Sequence, residues 1–327
     1  MKKYLARLMA VLMITALSIL PIQTMAQEIF PDRSVTIIAS FPPGQATDVA
    51  ARLLADEMAK EWQVPVVVRN QAGGLGIPAM QTLKGSLADG YTLALSTTGT
   101  AATNLYLMKN LSYSPMDDFV HIAPFFKAPL VITVDNSSQF NDLPQLLKHI
   151  HDHPGTIAWA IPGVGSAQHV TSELLFDLAG VDVQRVPYKG SADAVNDLIG
   201  GRVDVMTDSL AAALPLITGK RIRALAVTTE EQVPQLPDVA PVADAGFSGY
   251  SVYGWGGIMA PAGTPDTVVE KIAKTTHSIL SKPDFQQRLA DRALVADLRS
   301  QQEWEEFLRT EISKIASVLE KAGVPRQ

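Results

Sequence analysis

The chain has 327 residues, a net charge of −6 and no cysteine. A negative chain without a basic, aromatic-rich patch excludes nucleic acid as the expected partner. The lack of cysteine excludes disulfides, so stability must come from packed cores. The length predicts two domains of ordinary size.

The first 26 residues have the three parts of a secretory signal peptide. Basic residues open the chain, the stretch 8–20 is almost wholly apolar, and Ala26 is a small residue suited to cleavage. The apolar stretch is shorter than the roughly 20 residues that a membrane-spanning helix needs. We therefore expect cleavage after Ala26, a mature protein that starts at Gln27, and export to the periplasm.

Short β-branched runs alternate with helical periods from residue 34 onward. This pattern first predicts strands over 34–40, 64–69 and 92–97, and helices over 48–60 and 78–87. It then restarts, with strands over 130–134, 157–160, 183–186, 203–206 and 224–227 and helices over 143–151, 167–179, 192–199 and 211–218. Such alternation predicts βαβ units in two mostly parallel sheets, which is an α/β fold.

The last third of the chain is mainly helical. Ser300 and Glu303 form a capping box before a helix that carries Trp304 and further apolar residues at helical spacing. The stretch 254–260 is typical of a strand returning to the first sheet, so the terminal helices would cover that sheet. We therefore predict two lobes joined by two crossings, which can close like jaws. Lobe 1 is discontinuous, and the predicted ranges are 27–125 and 253–327 for lobe 1 and 126–252 for lobe 2.

Three loops join predicted strands to helix starts, at 42–48, 97–100 and 162–166. In parallel α/β sheets, ligands bind beyond the carboxyl ends of the strands. A helix N-terminus there presents free N–H groups and about half a positive charge, which suits an anion. Each loop alone is more typical of an ordinary capped helix start. Together, the three loops predict a carboxylate gripped by both lobes.

Six stretches occur in an order that is typical of one known family. They are FPPGQATD at 41–48, DGYTL at 89–93, VPYKGSA at 186–192, LIGGRVDVMTD at 198–208, LAVT at 225–228 and APAGTP at 260–265. On these residues, the chain resembles the substrate-binding proteins of tripartite tricarboxylate transporters, the Bug or TctC-like family. The resemblance covers essentially the whole mature chain. It implies a type II periplasmic binding protein fold, a small carboxylate ligand and membrane permease subunits as partners.

The loops and the resemblance together give a set of expected ligand-binding residues, of which Tyr188 and Asp208 rest on the resemblance alone. The set is Phe41, Gln45, Ala46, Thr47, Asp48, Thr98, Gly99, Thr100, Gly163, Val164, Gly165, Ser166, His169, Tyr188 and Asp208. Ordered waters often bridge one ligand carboxylate to the first lobe in relatives. We expect a monomer that is not an enzyme and that needs no metal or cofactor.

The chain departs from the family pattern at three positions. Gln45 replaces the second glycine of the family's F-x-PGG-x-x-D, and Ile161 and Val164 stand where relatives often have Ser and Asn. Polar donors are lost in the second-lobe loop. We therefore expect one end of the ligand to be less polar than in citrate, as in an aromatic or longer-chain carboxylate.

The sequence leaves four other functions open. Residues 74–79 fit G-x-G-x-x-A, but four residues separate them from the strand and no acid follows at the spacing of a dinucleotide site. Ser166 and His169 are spaced for a nucleophile pair, without a G-x-S-x-G elbow or an orienting acid. His149, His151 and His153 resemble metal ligands, although the helix dipole also favours cations there. A sensor subunit of a signalling receptor is the fourth.

Overall fold

The structure is a computed structural model that describes residues 30–326. The expected signal peptide lies outside the described residues. Within them, no helix combines the length and the apolar character that crossing a membrane requires.

The strands have been numbered in chain order. They are β1 (Val35–Ala39), β2 (Val66–Asn70), β3 (Thr92–Thr97), β4 (Phe119–Asp135), β5 (Ala158–Pro162), β6 (Gln184–Tyr188), β7 (Val205–Ser209), β8 (Ile222–Val227), β9 (Tyr253–Pro261) and β10 (Val295–Ala296).

The helices are numbered in the same way. They are α1 (Ala46–Trp62), α2 (Ile77–Lys84), α3 (Asn104–Leu107), α4 (Leu143–Asp152), α5 (Ala167–Ala179), α6 (Ser191–Ile199), α7 (Leu210–Thr218), α8 (Asp266–Leu280), α9 (Pro283–Ala290) and α10 (Gln301–Lys321). A π-helical turn, Thr98–Thr103, joins β3 to α3, and 3₁₀ turns occupy Gly74–Gly76 and Val242–Ala245.

Every predicted strand and helix occurs, with ends that differ by a few residues in most cases. The exception is the strand predicted over 130–134, which is the end of the 17-residue strand β4. The register of β4 against β9 shifts between His121 and Ala123 and again between Pro124 and Phe126. Bulges and prolines interrupt the side-chain alternation from which a strand is predicted, so the first part of β4 was missed.

Strand β4 joins two groups of parallel strands. β1 pairs in parallel with β2 and β3, and β5 pairs in parallel with β6 and β7. The first part of β4 pairs antiparallel with β9, and its last part pairs antiparallel with β7 and β8. Within residues 30–326 the strands therefore make one ten-stranded sheet instead of two separate sheets. The predicted change of lobe at 125–126 falls inside β4, and that at 252–253 falls where β9 begins.

The C-terminal helices pack where the sequence placed them. The predicted capping box is present, because Ser300 and Glu303 exchange side-chain and backbone hydrogen bonds at the start of α10. Trp304 and Leu308 of α10 are fully buried in one apolar cluster with Trp255 of β9, Leu107 of α3 and Val170 of α5. Helix α10 thus contacts elements from both predicted lobes.

Candidate ligand-binding site

A cavity of about 90 Å³ lies between the two groups of parallel strands. On the side of β1 and β3 it is lined by Phe41, Gln45, Thr47, Thr97, Thr98 and Gly99. On the side of β5 it is lined by Pro162, Gly163, Ser166, Ala167 and Gln168, and by Lys189, Gly190, Ser191 and Ser209 from the next loops. The three predicted loops therefore meet at one cavity.

Helices α1, α5, α6 and α7 begin at this cavity. Gln45, Ser166, Gly190 and Ser209 are the residues that precede their first turns, and all four line the cavity. Gln45 and Gly190 make no side-chain hydrogen bond to their own helices, so the first N–H groups of α1 and α6 are not capped by a side chain. Each helix start contributes about half a positive charge. No acidic side chain lines the cavity among the described residues, and Lys189 adds a cation.

The turn between β1 and α1 is held in place by Asp48. This side chain is 3% exposed and accepts hydrogen bonds from Gly44 N at 2.8 Å, Asn70 Nδ2 at 2.7 Å and Arg52 Nε at 3.2 Å. Asn70 Nδ2 also donates to Phe41 O. Burial acts to raise the pKa of Asp48, but the hydrogen bonds from Arg52, Gly44 and Asn70 outweigh it and lower the pKa. Asp48 therefore fixes the turn as a carboxylate and does not itself line the cavity.

The loop after β3 closes into a tight turn of threonines. Thr97 and Thr100 form a reciprocal capping box in which Thr97 N donates to Thr100 Oγ1 at 3.1 Å. Thr100 is fully engaged in this box and does not line the cavity. Thr98 does line it, and its buried Oγ1 has no hydrogen-bond partner among the described residues. The Thr98 hydroxyl group therefore remains free to form a hydrogen bond with a ligand.

The loop between β5 and α5 is shaped by two glycines and by His169. Gly163 and Gly165 both have positive φ, at 86° and 81°. Gly165 N donates to His169 Nδ1 at 3.1 Å, and His169 Nε2 lies 3.5 Å from Glu173 Oε1. These contacts fit the tautomer with its proton on Nε2. His169, Val164 and Gly165 therefore shape the loop from behind, while Gly163 and Ser166 line the cavity.

Glu173 completes the support of this loop. It is 1% exposed and accepts two hydrogen bonds from Arg185, at 2.7 Å and 2.9 Å. Burial acts to raise the pKa of Glu173, but the hydrogen bonds from His169 and Arg185 outweigh it and lower the pKa. These contacts could not be predicted from the sequence, because Glu173 and Arg185 belong to different elements.

Tyr188 and Asp208 lie outside the cavity lining. The Tyr188 hydroxyl donates to Asp197 Oδ2 at 2.8 Å, and burial together with this bond raises the pKa of Tyr188 to about 12. The Tyr188 carbonyl accepts from Gly163 N, which ties β6 to the cavity loop. Asp208 is buried behind Ser191 and Ser209, to which it is hydrogen-bonded. Ala46, the remaining predicted residue, is the first residue of α1.

One wall of the cavity is apolar and was largely missed from the sequence. It consists of Phe126, Ala128 and Leu130 of β4 and of Gly254 and Trp255 of β9, two strands that pair with each other. A Cβ at Gly256 would lie 2.4 Å from the Phe126 ring, so this glycine makes room for the ring. Trp255 is 2% exposed and packs edge-on against Trp304 at 5.4 Å, so it belongs both to the wall and to the core.

The geometry does not favour a dinucleotide site, a nucleophile pair or a metal site. Gly76, in the G-x-G-x-x-A stretch, packs against Ser40 and Thr100, where an added Cβ would lie 3.0 Å and 2.8 Å from their side chains, so no room is left there for a pyrophosphate. Ser166 Oγ accepts from the backbone N of His169 and not from its ring. His149 and His153 stack their rings at 4.6 Å. Within residues 30–326, no three His, Asp or Glu side chains are grouped as metal ligands would be.

Comparison with known proteins identifies the family. The family model described as the tripartite tricarboxylate transporter family receptor, TctC, matches residues 50–324. The chain belongs to this family. It is 30% identical to the protein BugT of Bordetella pertussis over 295 residues, which is 90% of each chain. Members of the TctC receptor family are substrate-binding receptors and not enzymes, so the expected class is confirmed.

Two solved structures superpose on nearly the whole chain. Rpa4515 of R. palustris with adipate has a TM-score of 0.86 and 30% identity, covering 91% of this chain and 100% of the other. MatC of Rhodopseudomonas palustris with bound malate has a TM-score of 0.79 and 30% identity, covering 89% and 100%. The superpositions confirm the predicted α/β fold of a type II periplasmic binding protein.

Proposed function

We propose that this TctC receptor binds a small carboxylate in the cavity, acts as a periplasmic monomer, and presents its ligand to the membrane subunits of a tripartite tricarboxylate-type transporter. The observation that carries the proposal is that α1, α5, α6 and α7 begin at a cavity that no acidic side chain of the described chain lines. Such helix starts stabilise an anion through backbone N–H groups and the helix dipole. The adipate and malate held by Rpa4515 and MatC support a carboxylate.

We divide the predicted site residues into two roles. Residues that line the cavity contact the ligand: Phe41, Gln45, Thr47, Thr98, Gly99, Gly163 and Ser166. The others, among them Asp48, Thr100 and His169, act by holding the loops that carry these contacts. Lys189, Ser191 and Ser209 join the contacting set, although the expected set did not include them.

The cavity favours a ligand the size of malate, adipate or benzoate. In the measure that gives about 90 Å³, one water occupies about 10–15 Å³, so there is room for roughly six to nine water-sized groups. Malate and benzoate match this size and adipate is close to it, whereas citrate is clearly larger. The rings of Phe41, Phe126 and Trp255 face the same space, which suits an apolar ring or methylene chain between or beside the carboxylates. The proposed ligand is therefore a short dicarboxylate or an aromatic acid.

We propose that 27–125 with 253–327 moves as one lobe and 126–252 as the other. The loops of the two lobes are in contact around the cavity, since a Cβ at Gly99 would lie 3.6 Å from the Gly165 carbonyl oxygen. A bound anion contacts helix starts of both lobes only when the lobes are close. Its differential affinity would therefore stabilise the closed form.

The proposal is tested by ligand binding to the purified mature chain. Malate, adipate, benzoate and citrate would each be titrated by isothermal calorimetry and by thermal denaturation. We expect at least one of the first three to bind with one-to-one stoichiometry and to stabilise the fold by about 2.7 kcal/mol at a hundredfold excess over its Kd. If none of the four acids binds, while NAD or a divalent metal raises Tm, the proposed function as a carboxylate receptor is wrong. Fractionation of cells expressing the full chain, with a variant lacking 2–26 as the control, tests export.

A further inference from the structure

A buried carboxylate lies directly behind the cavity, at the end of β7. Asp208 is 1% exposed, and its Oδ1 accepts from Ser191 Oγ at 2.6 Å and from Ser209 N at 2.8 Å. Both serines line the cavity. Its Oδ2 is buried and has no hydrogen-bond partner among the described residues. An ionised Asp208 would thus leave one charged oxygen without a donor.

The charged groups on the elements around Asp208 do not neutralise the negative charge that an ionised Asp208 would carry. On α5, His169 and Glu173 contact each other, and Glu173 also pairs with Arg185. Helix α6 carries Asp193 and Asp197, and Asp197 pairs with Arg202. Val131 of β4 stands opposite Asp208 in the sheet and is apolar. Lys189, two residues before Ser191, lines the cavity.

A second negative charge in the cavity would oppose an ionised Asp208. The two anions would be separated by the serines that contact Asp208, in a place with little water to screen them. A neutral Asp208 removes this repulsion. It also gives Oδ2 a proton to donate, and the Gln168 amide is the neighbouring polar side chain. If the amide oxygen accepts this proton, the Gln168 N–H group is left to face the cavity that Gln168 lines.

We propose that Asp208 binds one proton from solvent when a carboxylate enters the cavity, and that the neutral acid positions Gln168 as a donor to the ligand. The inference deepens and rests on the proposed carboxylate site. The proton adds to Oδ2, and no other bond is made or broken.

The acid titrates in a range where such linkage is measurable. Burial raises the pKa of Asp208 to about 6, although the hydrogen bonds from Ser191 and Ser209 act to lower it. A bound anion raises this pKa further. The ligand-bound protein therefore binds more protons than the ligand-free protein. The affinity for the ligand accordingly falls as pH rises above about 6 and changes less below that pH.

The test uses adipate as the probe, titrated calorimetrically between about pH 5.5 and pH 8 in pairs of buffers that differ in ionisation enthalpy. We expect the wild-type protein to take up close to one proton per adipate, with Kd rising by up to tenfold per pH unit above the pKa of the free protein. Asp208→Asn mimics the neutral acid, so its Kd should change little with pH and its proton uptake should vanish. Asp204→Asn removes an acid beyond the opposite end of β7, where Asp204 accepts from Ala158 N, and should keep the wild-type profile.

Adipate binding without proton uptake by the wild type, or equal uptake by Asp208→Asn, would overturn the inference. A ligand-free measurement separates this failure from failure of the proposed function. The folded pKa of Asp208 is raised, so the wild type should lose Tm relative to Asp208→Asn as pH rises through about 6. Parallel Tm curves would refute the titration of Asp208 whether or not adipate binds. If the Tm curves of the two proteins diverge but no carboxylic acid binds to either protein, the proposed carboxylate site is refuted instead.

Discussion

The loop carrying Gly165 offers a direct test of lobe closure. Gly165 has φ of 81°, and a Cβ added there would lie 2.8 Å from Leu107 Cδ1 and 3.2 Å from Thr103 Cγ2. Leu107 is fully buried, so it has little space to move away. Gly165 belongs to proposed lobe 2, whereas Leu107 and Thr103 belong to lobe 1. The Gly165→Ala variant should therefore be penalised most in the closed form.

The expected effect has two parts. Alanine at a positive φ costs about 1 kcal/mol in the open and closed forms alike, so this part lowers Tm without changing Kd. The overlap with Leu107 and Thr103 adds about 1–3 kcal/mol, as overpacking does, and acts only when the lobes are together. Because 1.4 kcal/mol is a factor of ten, the Kd for adipate or malate should rise about 5- to 150-fold.

Gly180→Ala is the matched control. Gly180 follows α5, the helix that Gly165 precedes, has φ of 61°, and has nothing within 4 Å of an added Cβ. This variant should lose a similar part of its Tm and keep the wild-type Kd in the same calorimetric titration. If Gly165→Ala also keeps the wild-type Kd, the loop does not approach lobe 1 on binding and the closure argument fails.

Three further substitutions test the supports and selectivity of the cavity. Asp48→Asn should lower the free energy of unfolding at neutral pH by about 2 kcal/mol, because hydrogen bonds to a buried carboxylate are lost. Since the pKa of Asp48 is lowered in the folded protein, this stabilisation is present above the usual aspartate pKa and is lost as pH falls through the pKa of the folded state. Denaturation curves of the wild type and the variant should therefore converge in acid. Lys189→Gln should weaken a dicarboxylate at most about fivefold, as expected for an exposed ion pair, and should reduce the salt dependence of Kd; an unchanged salt dependence would show that Lys189 does not contact the ligand. Gln45→Gly removes a cavity-lining amide whose Nε2 lies 3.4 Å from the position of a Cβ on Gly190, and calorimetry should show weaker binding of malate and adipate; an unchanged Kd for both acids would show that Gln45 does not contact the ligand.

Local patterns predicted most of the secondary structure. The helix of residues 167–179 and the strand of residues 92–97 were predicted to the residue, because a serine cap, a following glycine or a β-branched run marks their ends. The long strand β4 was recognised only in part, since Pro124, Pro129 and two register shifts break its alternation. That one strand joins both parallel groups, so the sheet is continuous where two sheets were expected.

The site was predicted less completely than the fold. The three loops were found because glycines and hydroxyl groups stand between strands and helices, a signal contained in consecutive residues. The Lys189–Ser191 loop and Ser209 carry a weaker version of that signal, so the sequence did not predict them as ligand-binding residues. Phe126 and Trp255 lie in β4 and β9, far apart in the chain, and they meet only because the two strands pair.

The amino-acid order alone was sufficient for the α/β class, the helix starts suited to an anion and the family, since each depends on short stretches of neighbouring residues or on their succession. Folding decided which of those helix starts face one another, that an apolar wall closes the space between them, and that Asp208 lies buried behind its serines instead of lining the cavity. These outcomes depend on pairing between residues distant in the chain. Such pairing is set by the packing of whole elements, and no local pattern encodes it.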